Sequence, residues 1–315
     1  MPTSNASYHA GYSGLLSNPS VRTLVAGDLE VIFLPDHGML GASIRHRGAE
    51  ILRRIQDLDA SAAKGSTAGI PFLHPWANRL ASHRYHAAGL EVELDPSSSL
   101  LHFDDHGLPM HGVPWSLLSW EVTETRQDRL GARLDWIRSD LLAVFPFCHR
   151  LEMTATLRPN GLTMETTLVA GAHGPVPVCF GFHPYFGLPD LSRPEEQLKL
   201  PAMQRLVLDR FGIPTGEEEP FDGFDGHLGE IGFDHGFALL EEQPSFSLTG
   251  AGRRITVDLL AGYRYLQVFA PKDKDYVALE PMTAPANALI SGRGLQLVEP
   301  GRRFRAAFRI RVDSI

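Results

Sequence analysis

Two side chains in this sequence have the types and settings needed to move protons. His183 lies in Cys179-Phe180-Gly181-Phe182-His183-Pro184-Tyr185-Phe186, where Val176, Val178, Phe180 and Phe182 recur at every second position as on a half-buried strand. Pro184 then turns the chain, so the imidazole is expected at a strand rim, with an apolar wall on one side and a cleft on the other. There its proton affinity can be tuned for acid or base work near neutral pH. The same spacing also suits a half-buried histidine hydrogen-bonded to a backbone carbonyl. Glu280 ends the apolar run Tyr276-Val277-Ala278-Leu279, and Pro281 is expected to stop the ladder directly after it. A carboxylate half-withdrawn from water has a raised pKa and is the stronger base. Its alternative is an ion pair across strands with a distant arginine.

A second group of residues suits hydroxyl-rich ligands. In Gly69-Ile70-Pro71-Phe72-Leu73-His74-Pro75-Trp76-Ala77-Asn78-Arg79-Leu80, Trp76 could stack on the apolar face of a pyranose, while Asn78 and Arg79 offer amide and forked guanidinium donors to vicinal hydroxyls. A loop amide beside a surface salt bridge is the plainer alternative. Two His-Gly pairs follow in His106-Gly107-Leu108-Pro109-Met110-His111-Gly112. Their spacing of five places no third ligand in register for a closed zinc site, although Asp104 and Asp105 stand nearby. No metal is expected. A neutral His111 orienting a bound hydroxyl is the more economical use, with Gly112 allowing the backbone to approach the ligand.

The elements that must position these residues are strands. Arg22–Ala26 and Leu29–Leu34 flank Gly27-Asp28, a hairpin turn pair, and Gly38–Arg45 and Ala49–Leu52 continue around Arg47-Gly48. Further runs fall at 90–94, 100–103, 115–124, 129–138, 149–157 and 162–170. Later ones fall at 206–208, 237–240, 245–248, 254–259, 265–269, 276–280, 294–298 and 304–312, nearly all separated by Gly, Pro, Asn or Asp. Thr163–Val169 alternates as a strand with one wet face does. Residues 55–64 could form one short helix or a polar loop, and Arg193–Leu198 offers the other helical period. The pattern predicts an all-β fold, a large antiparallel β-sandwich, with a flexible N-terminal segment over residues 1–20 and a single domain over 21–315.

Composition narrows the partners. A 315-residue chain with 43% apolar residues buries roughly 70–75% of the surface that its unfolded form exposes. Its net charge of −8, with basic residues scattered apart from Arg302, Arg303 and Arg305, disfavours nucleic acid and anionic membrane. Cys148 and Cys179 are too few for a disulfide framework and read as reduced core residues. The first twenty residues lack a basic start and an apolar block, and no run approaches the ~20 apolar residues of a membrane helix, so a cytoplasmic protein is expected.

Taken together, Asn78-Arg79, His111-Gly112, His183-Pro184-Tyr185-Phe186, Asp234 and Glu280-Pro281 resemble, in identity and order, the motifs of the aldose 1-epimerases, or galactose mutarotases, over roughly Leu24 to Arg311. The resemblance implies the galactose-mutarotase type of β-sandwich, no cofactor, and interconversion of the α and β anomers of a free aldohexose, a small-molecule partner. A homodimer is compatible with it. It implies Glu280 as general base, His183 as general acid, and Arg79, His111 and Asp234 as residues that hold sugar hydroxyls. Asp222 or Asp225 could take the part of Asp234. Pro184 and Val113 stand where galactose-specific members carry Ser and a second Gly, so the resemblance extends to an aldose rather than to galactose. The runner-up is a hexose-6-phosphate mutarotase, with Arg45, Arg47 and Arg293 as the basic residues. A non-catalytic sugar-binding or regulatory module needs no acid and base, and a glycoside hydrolase usually needs two carboxylates.

Overall fold

A computed structural model describes residues 20–53, 67–188 and 191–315, so the expectations for the first nineteen residues and for residues 55–64 lie outside it. Its largest sheet has nine strands, in the spatial order 224–227, 197–200, 245–250, 253–261, 303–314, 161–170, 149–158, 129–136 and 121–126, all antiparallel. His149–Arg158 shows why these residues form a strand. Its buried positions are His149, Leu151, Met153, Ala155 and Leu157, with the intervening residues in contact with solvent. A second, eight-stranded sheet runs 214–221, 203–208, 233–239, 265–270, 277–282, 181–182 and 72–73, with 185–186 also paired to 277–282. Phe182 of this sheet meets Phe308 of the first at 5.0 Å between ring centroids, and Phe180 meets Phe304 at 6.1 Å. The inner faces of the two sheets thus form the apolar core.

Arg22–Ala26 and Leu29–Leu34 form the expected hairpin, with Ala26 opposite Leu29, and Leu40–His46 and Ala49–Glu50 complete a four-stranded sheet. Several local expectations change. Residues 115–124 begin with a 3₁₀ turn at Trp115–Leu117, and the strand starts only at Glu121, because Pro114 and the buried Trp115 and Leu118 fold this corner against the core. Residues 193–198 form a 3₁₀ turn at Arg193–Glu195 and then join a strand, since Leu198 and Leu200 alternate into the core. Ser139–Val144 forms a six-residue helix with Leu141 and Val144 buried. Residues 100–103 make a single bridge at Phe103 instead of a strand. Cys179 is buried, whereas Cys148 is half-exposed. No described helix is long and apolar enough to cross a membrane.

The strand that matters most is Val277–Met282, buried at every position. Pro281 does not stop its ladder: Leu266 pairs with Pro281 and Tyr265 with Met282 on one flank. On the other flank the neighbouring edge is interrupted, with Gly181 opposite Met282 and Tyr185 opposite Ala278. The gap faces Leu279, Glu280 and Pro281, so a residue without an N–H is tolerated there. His183 and Pro184 span that gap, which brings the imidazole to the carboxylate.

Candidate active site

His183 and Glu280 meet at the interruption just described. His183 Nε2 lies 3.2 Å from Glu280 Oε1, with side-chain exposures of 7% and 2%. Tyr185 stacks on the imidazole at 4.1 Å between centroids, and its hydroxyl is 3.0 Å from Nε2. The hydroxyl of Thr67 hydrogen-bonds that of Tyr185. Burial pushes the Glu280 carboxyl well above the usual carboxylate range, helped by the negative charge of Asp234 and opposed by Arg79. Burial holds the His183 imidazole well below its ordinary value, with His111 and Arg53 acting in the same direction. A dry site thus favours the neutral pair, with one proton shared between two atoms in contact.

Both groups open into a cavity of about 300 Å³. Asn78, Arg79, His111 and Asp234 line it together. Arg79 is held by Asp104, whose Oδ2 accepts from Nε at 2.8 Å, while Nη1 makes a long contact of 3.4 Å with Asn78 Oδ1. Burial works against ionisation of Asp104, yet the N–H groups of Leu108 and His106 and the Arg79 guanidinium hold its carboxyl below the usual carboxylate range. Both Asp104 oxygens are thus engaged within the protein, Oδ1 by the N–H groups of His106 and Leu108 and Oδ2 by Arg79.

His111 and Asn78 interlock. The His111 N–H donates to Asn78 O at 2.9 Å, and the Asn78 N–H donates to His111 Nδ1 at 3.1 Å. Both residues have left-handed backbones, with φ of 61° and 60°. Because Nδ1 accepts, the neutral ring carries its proton on Nε2. Burial, with Arg79 and His102 nearby, pulls the His111 pKa down to about 3, so that donor persists across the neutral range.

Trp76 is not at the cavity. Its ring is 1% exposed and packs edge-on against Tyr85 at 6.4 Å, because the chain at Trp76 bridges to Cys179 and directs the indole into the core. Sequence reasoning assigned it a ligand-stacking role that the fold does not allow. Asp222 does not line the cavity, and Asp225 is engaged by Lys199 and Gln197 on the nine-stranded sheet. Asp234 is the acidic residue at this position. Arg45, Arg47 and Arg293 do not line the cavity either; Arg47 pairs with Asp28 and Arg293 with Glu218.

Gln267, Tyr185, Thr67 and Arg53 line the cavity but received no role from the sequence. Gln267 Nε2 donates to Asp234 Oδ1 at 2.7 Å and sits opposite Glu280 in register. A polar residue between the apolar Leu266 and Val268 was the available signal. Arg53 lies over the rings of Tyr276 and Tyr185, at 4.6 and 5.5 Å from their centroids. Nothing in the local sequence around Arg53 indicates those rings.

The family model for aldose 1-epimerases matches residues 24–311 of the chain. The uncharacterised protein YihR of Escherichia coli K12 is 26% identical over 249 residues, covering 76% of this chain and 77% of YihR. Among solved structures, Slr1438 of Synechocystis sp. PCC 6803 is 27% identical with a TM-score of 0.76, covering 95% of this chain and 97% of its own. A galactose mutarotase-like protein of Clostridium acetobutylicum has a TM-score of 0.80 at 18% identity, covering 93% and 95%. At that identity the likeness is one of fold.

Proposed function

Since the chain belongs to the aldose 1-epimerase family, we propose that it interconverts the α and β anomers of a free aldose by opening and closing the pyranose ring. The observation that carries this reading is the contact of His183 Nε2 with Glu280 Oε1, buried together on a cavity whose other polar walls suit sugar hydroxyls. A pure binding module has no use for such a pair.

In the reactive state the shared proton resides on His183, which makes Glu280 a carboxylate. Glu280 takes the proton of the C1 hydroxyl while His183 gives its proton to the ring oxygen. The C1–O5 bond breaks, its electrons go to O5, and the electrons of the former O–H bond complete the C1 carbonyl. Rotation about C1–C2 presents the other carbonyl face. On closure O5 attacks C1, His183 recovers a proton from O5, and Glu280 returns one to the carbonyl oxygen. Each group supplies about 10²–10⁴-fold, enough for a reaction that water already carries slowly. Arg79, His111 Nε2, Gln267 and Asp234 hold the remaining hydroxyls, so that the hemiacetal meets both groups at once.

Polarimetry or NMR on freshly dissolved α-D-glucose and α-D-galactose tests the reading, with glucose 6-phosphate as a parallel sample. Protein-dependent acceleration of anomer exchange in a free sugar is the expected result. No acceleration with any free aldose overturns it. Preference for the 6-phosphate would restore the phosphorylated reading, for which Arg53, over the Tyr185 ring, is a cation that lines the cavity.

A further inference from the structure

Burial favours the neutral form of the His183–Glu280 pair, whereas proton transfer to a ring oxygen needs the charged tautomer, with the shared proton on the imidazole and Glu280 a carboxylate. Two side-chain oxygens reach Nε2, that of Glu280 at 3.2 Å and the Tyr185 hydroxyl at 3.0 Å. We propose that Tyr185 is a positioning residue that stabilises the protonated imidazole of His183, with Thr67 orienting its hydroxyl, and so raises the fraction of the site that stands in the reactive tautomer. The proposal rests on the anomer-interconverting reading of the site.

The direction of the effect follows from the ring geometry. The two rings are 4.1 Å apart between centroids and 11° from parallel, so the hydroxyl meets Nε2 from over the face of the imidazole. The lone pair and the N–H of an imidazole nitrogen both lie in the ring plane, and a hydrogen bond to either has to come along it. A hydroxyl over the face can therefore neither donate to a bare Nε2 nor accept its N–H, and the in-plane position is left to Glu280 and the sugar. The phenol proton goes instead to Thr67 Oγ1, its hydrogen-bond partner. The phenol oxygen then turns its lone pairs towards Nε2, and the tyrosine ring adds its negative π-face to the stack. Both interactions favour imidazolium over imidazole.

Tyr185 is also fixed before any charge appears. It pairs with Ala278, two residues before Glu280 on the same strand, and its N–H donates to Gly69 O at 3.0 Å. Tyr276 packs edge-on against its ring at 5.3 Å. A dipole held in this way needs no reorganisation when the proton moves. Of the other titratable and charged groups facing His183, His111 stands edge-on at 5.7 Å, and both it and Arg53 oppose the imidazolium. Tyr185 and the Glu280 carboxylate act for it.

The test follows the charge of His183 by NMR on protein labelled with 15N-histidine, between pH 5 and pH 8, in wild type, Tyr185→Phe and Thr67→Val, with His183→Asn to assign the resonance. Polarimetry on α-D-glucose runs alongside. Phe keeps the stacked ring and removes the oxygen, and Val keeps the shape of Thr67 and removes the acceptor. At any one pH the ratio of charged to neutral imidazole should fall about tenfold in Tyr185→Phe, the scale of one polar contact to a charged group, and by less in Thr67→Val. An imidazole that is harder to charge is also a stronger acid, and Brønsted behaviour returns about half of the effect on a logarithmic scale, so kcat should fall roughly threefold with KM within about twofold. A role in packing alone would leave the charge ratio unmoved. A ratio that is unchanged or raised in folded Tyr185→Phe, or His183 uncharged in both proteins at every pH, overturns the proposal. If no sugar is turned over, the reading of the site fails separately, and the charge ratio still decides the role of Tyr185.

Discussion

Replacing Glu280 by Gln removes the base while keeping the size and one carbonyl acceptor of the side chain. If Glu280 takes the C1 proton, the loss is at least the general-base contribution, about 10²–10⁴-fold in kcat, or about 2.7–5.4 kcal/mol of barrier at 1.36 kcal/mol per decade. KM should move much less, because the hydroxyl-holding residues are untouched. Stability should move the other way. The folded carboxyl titrates above its unfolded value near ~4.3, so it contributes stability that is full below that pH and is lost as pH rises through the folded value. The Gln variant has no such loss. Its denaturant midpoint relative to wild type should therefore rise between pH 5 and pH 8. The assay pair is polarimetric kcat and urea unfolding at those two pH values, with His183→Asn and the double variant alongside. The double variant should lose less than the product of the single losses, since the two groups serve one transfer. Wild-type kcat should follow a bell in pH whose two apparent pKa values belong to the coupled pair. A folded Glu280→Gln protein with full activity refutes the assignment, and a midpoint difference that does not vary with pH refutes the raised carboxyl.

On the proposed reading Arg79, held by Asp104, binds a sugar hydroxyl and not the reacting atoms, so Arg79→Ala should raise KM about tenfold with a smaller change in kcat; steady-state kinetics showing KM unchanged would remove Arg79 from the site. Trp76→Ala should destabilise the protein by ~3–5 kcal/mol in urea unfolding, as loss of a buried indole does, while Trp76→Phe should leave KM unchanged; a raised KM in the Phe variant would return Trp76 to the ligand. His74 and His149 make a buried Nε2–Nε2 contact of 3.0 Å, and His149 Nδ1 donates to Phe147 O at 2.6 Å. Burial pulls His149 down to about 4 and His74 well below its ordinary value, so both are neutral when folded. A lowered folded pKa means stability that is present above ~6.5 and lost as pH falls towards 4, roughly 3 kcal/mol from His149 alone. Urea midpoints that stay flat over that window would contradict it.

Most of the architecture was legible because its strands are amphipathic. Leu151, Met153, Ala155 and Leu157 announce their sheet by spacing alone, and Gly27-Asp28 announces its turn. The boundaries that failed did so where tertiary packing overrides periodicity, as when Trp115 and Leu118 turn a hydrophobic run into a corner. Pro281 was misread for a related reason. A proline ends a ladder only if a partner strand needs its N–H, and the gap between Phe182 and Tyr185 lies far away in sequence. His183 and Glu280 were legible as polar residues in apolar surroundings. Trp76 was misjudged because an indole in a proline-rich loop carries no mark of which side faces the core. Arg53 escaped notice because its rings, Tyr185 and Tyr276, are distant along the chain.

The interrupted sheet edge also divides the molecule by how readily it can change. Glu280 is carried by a strand paired on both flanks, whereas Asn78, Arg79 and His111 are carried by connecting segments. Connecting segments accept insertion and replacement far more readily than a central strand, where any shift in register moves every neighbour. Replacements around residues 78 and 111 should therefore be tolerated more readily than replacements along Val277–Met282, and His183, in the gap between 181–182 and 185–186, shares the freedom of the connecting segments.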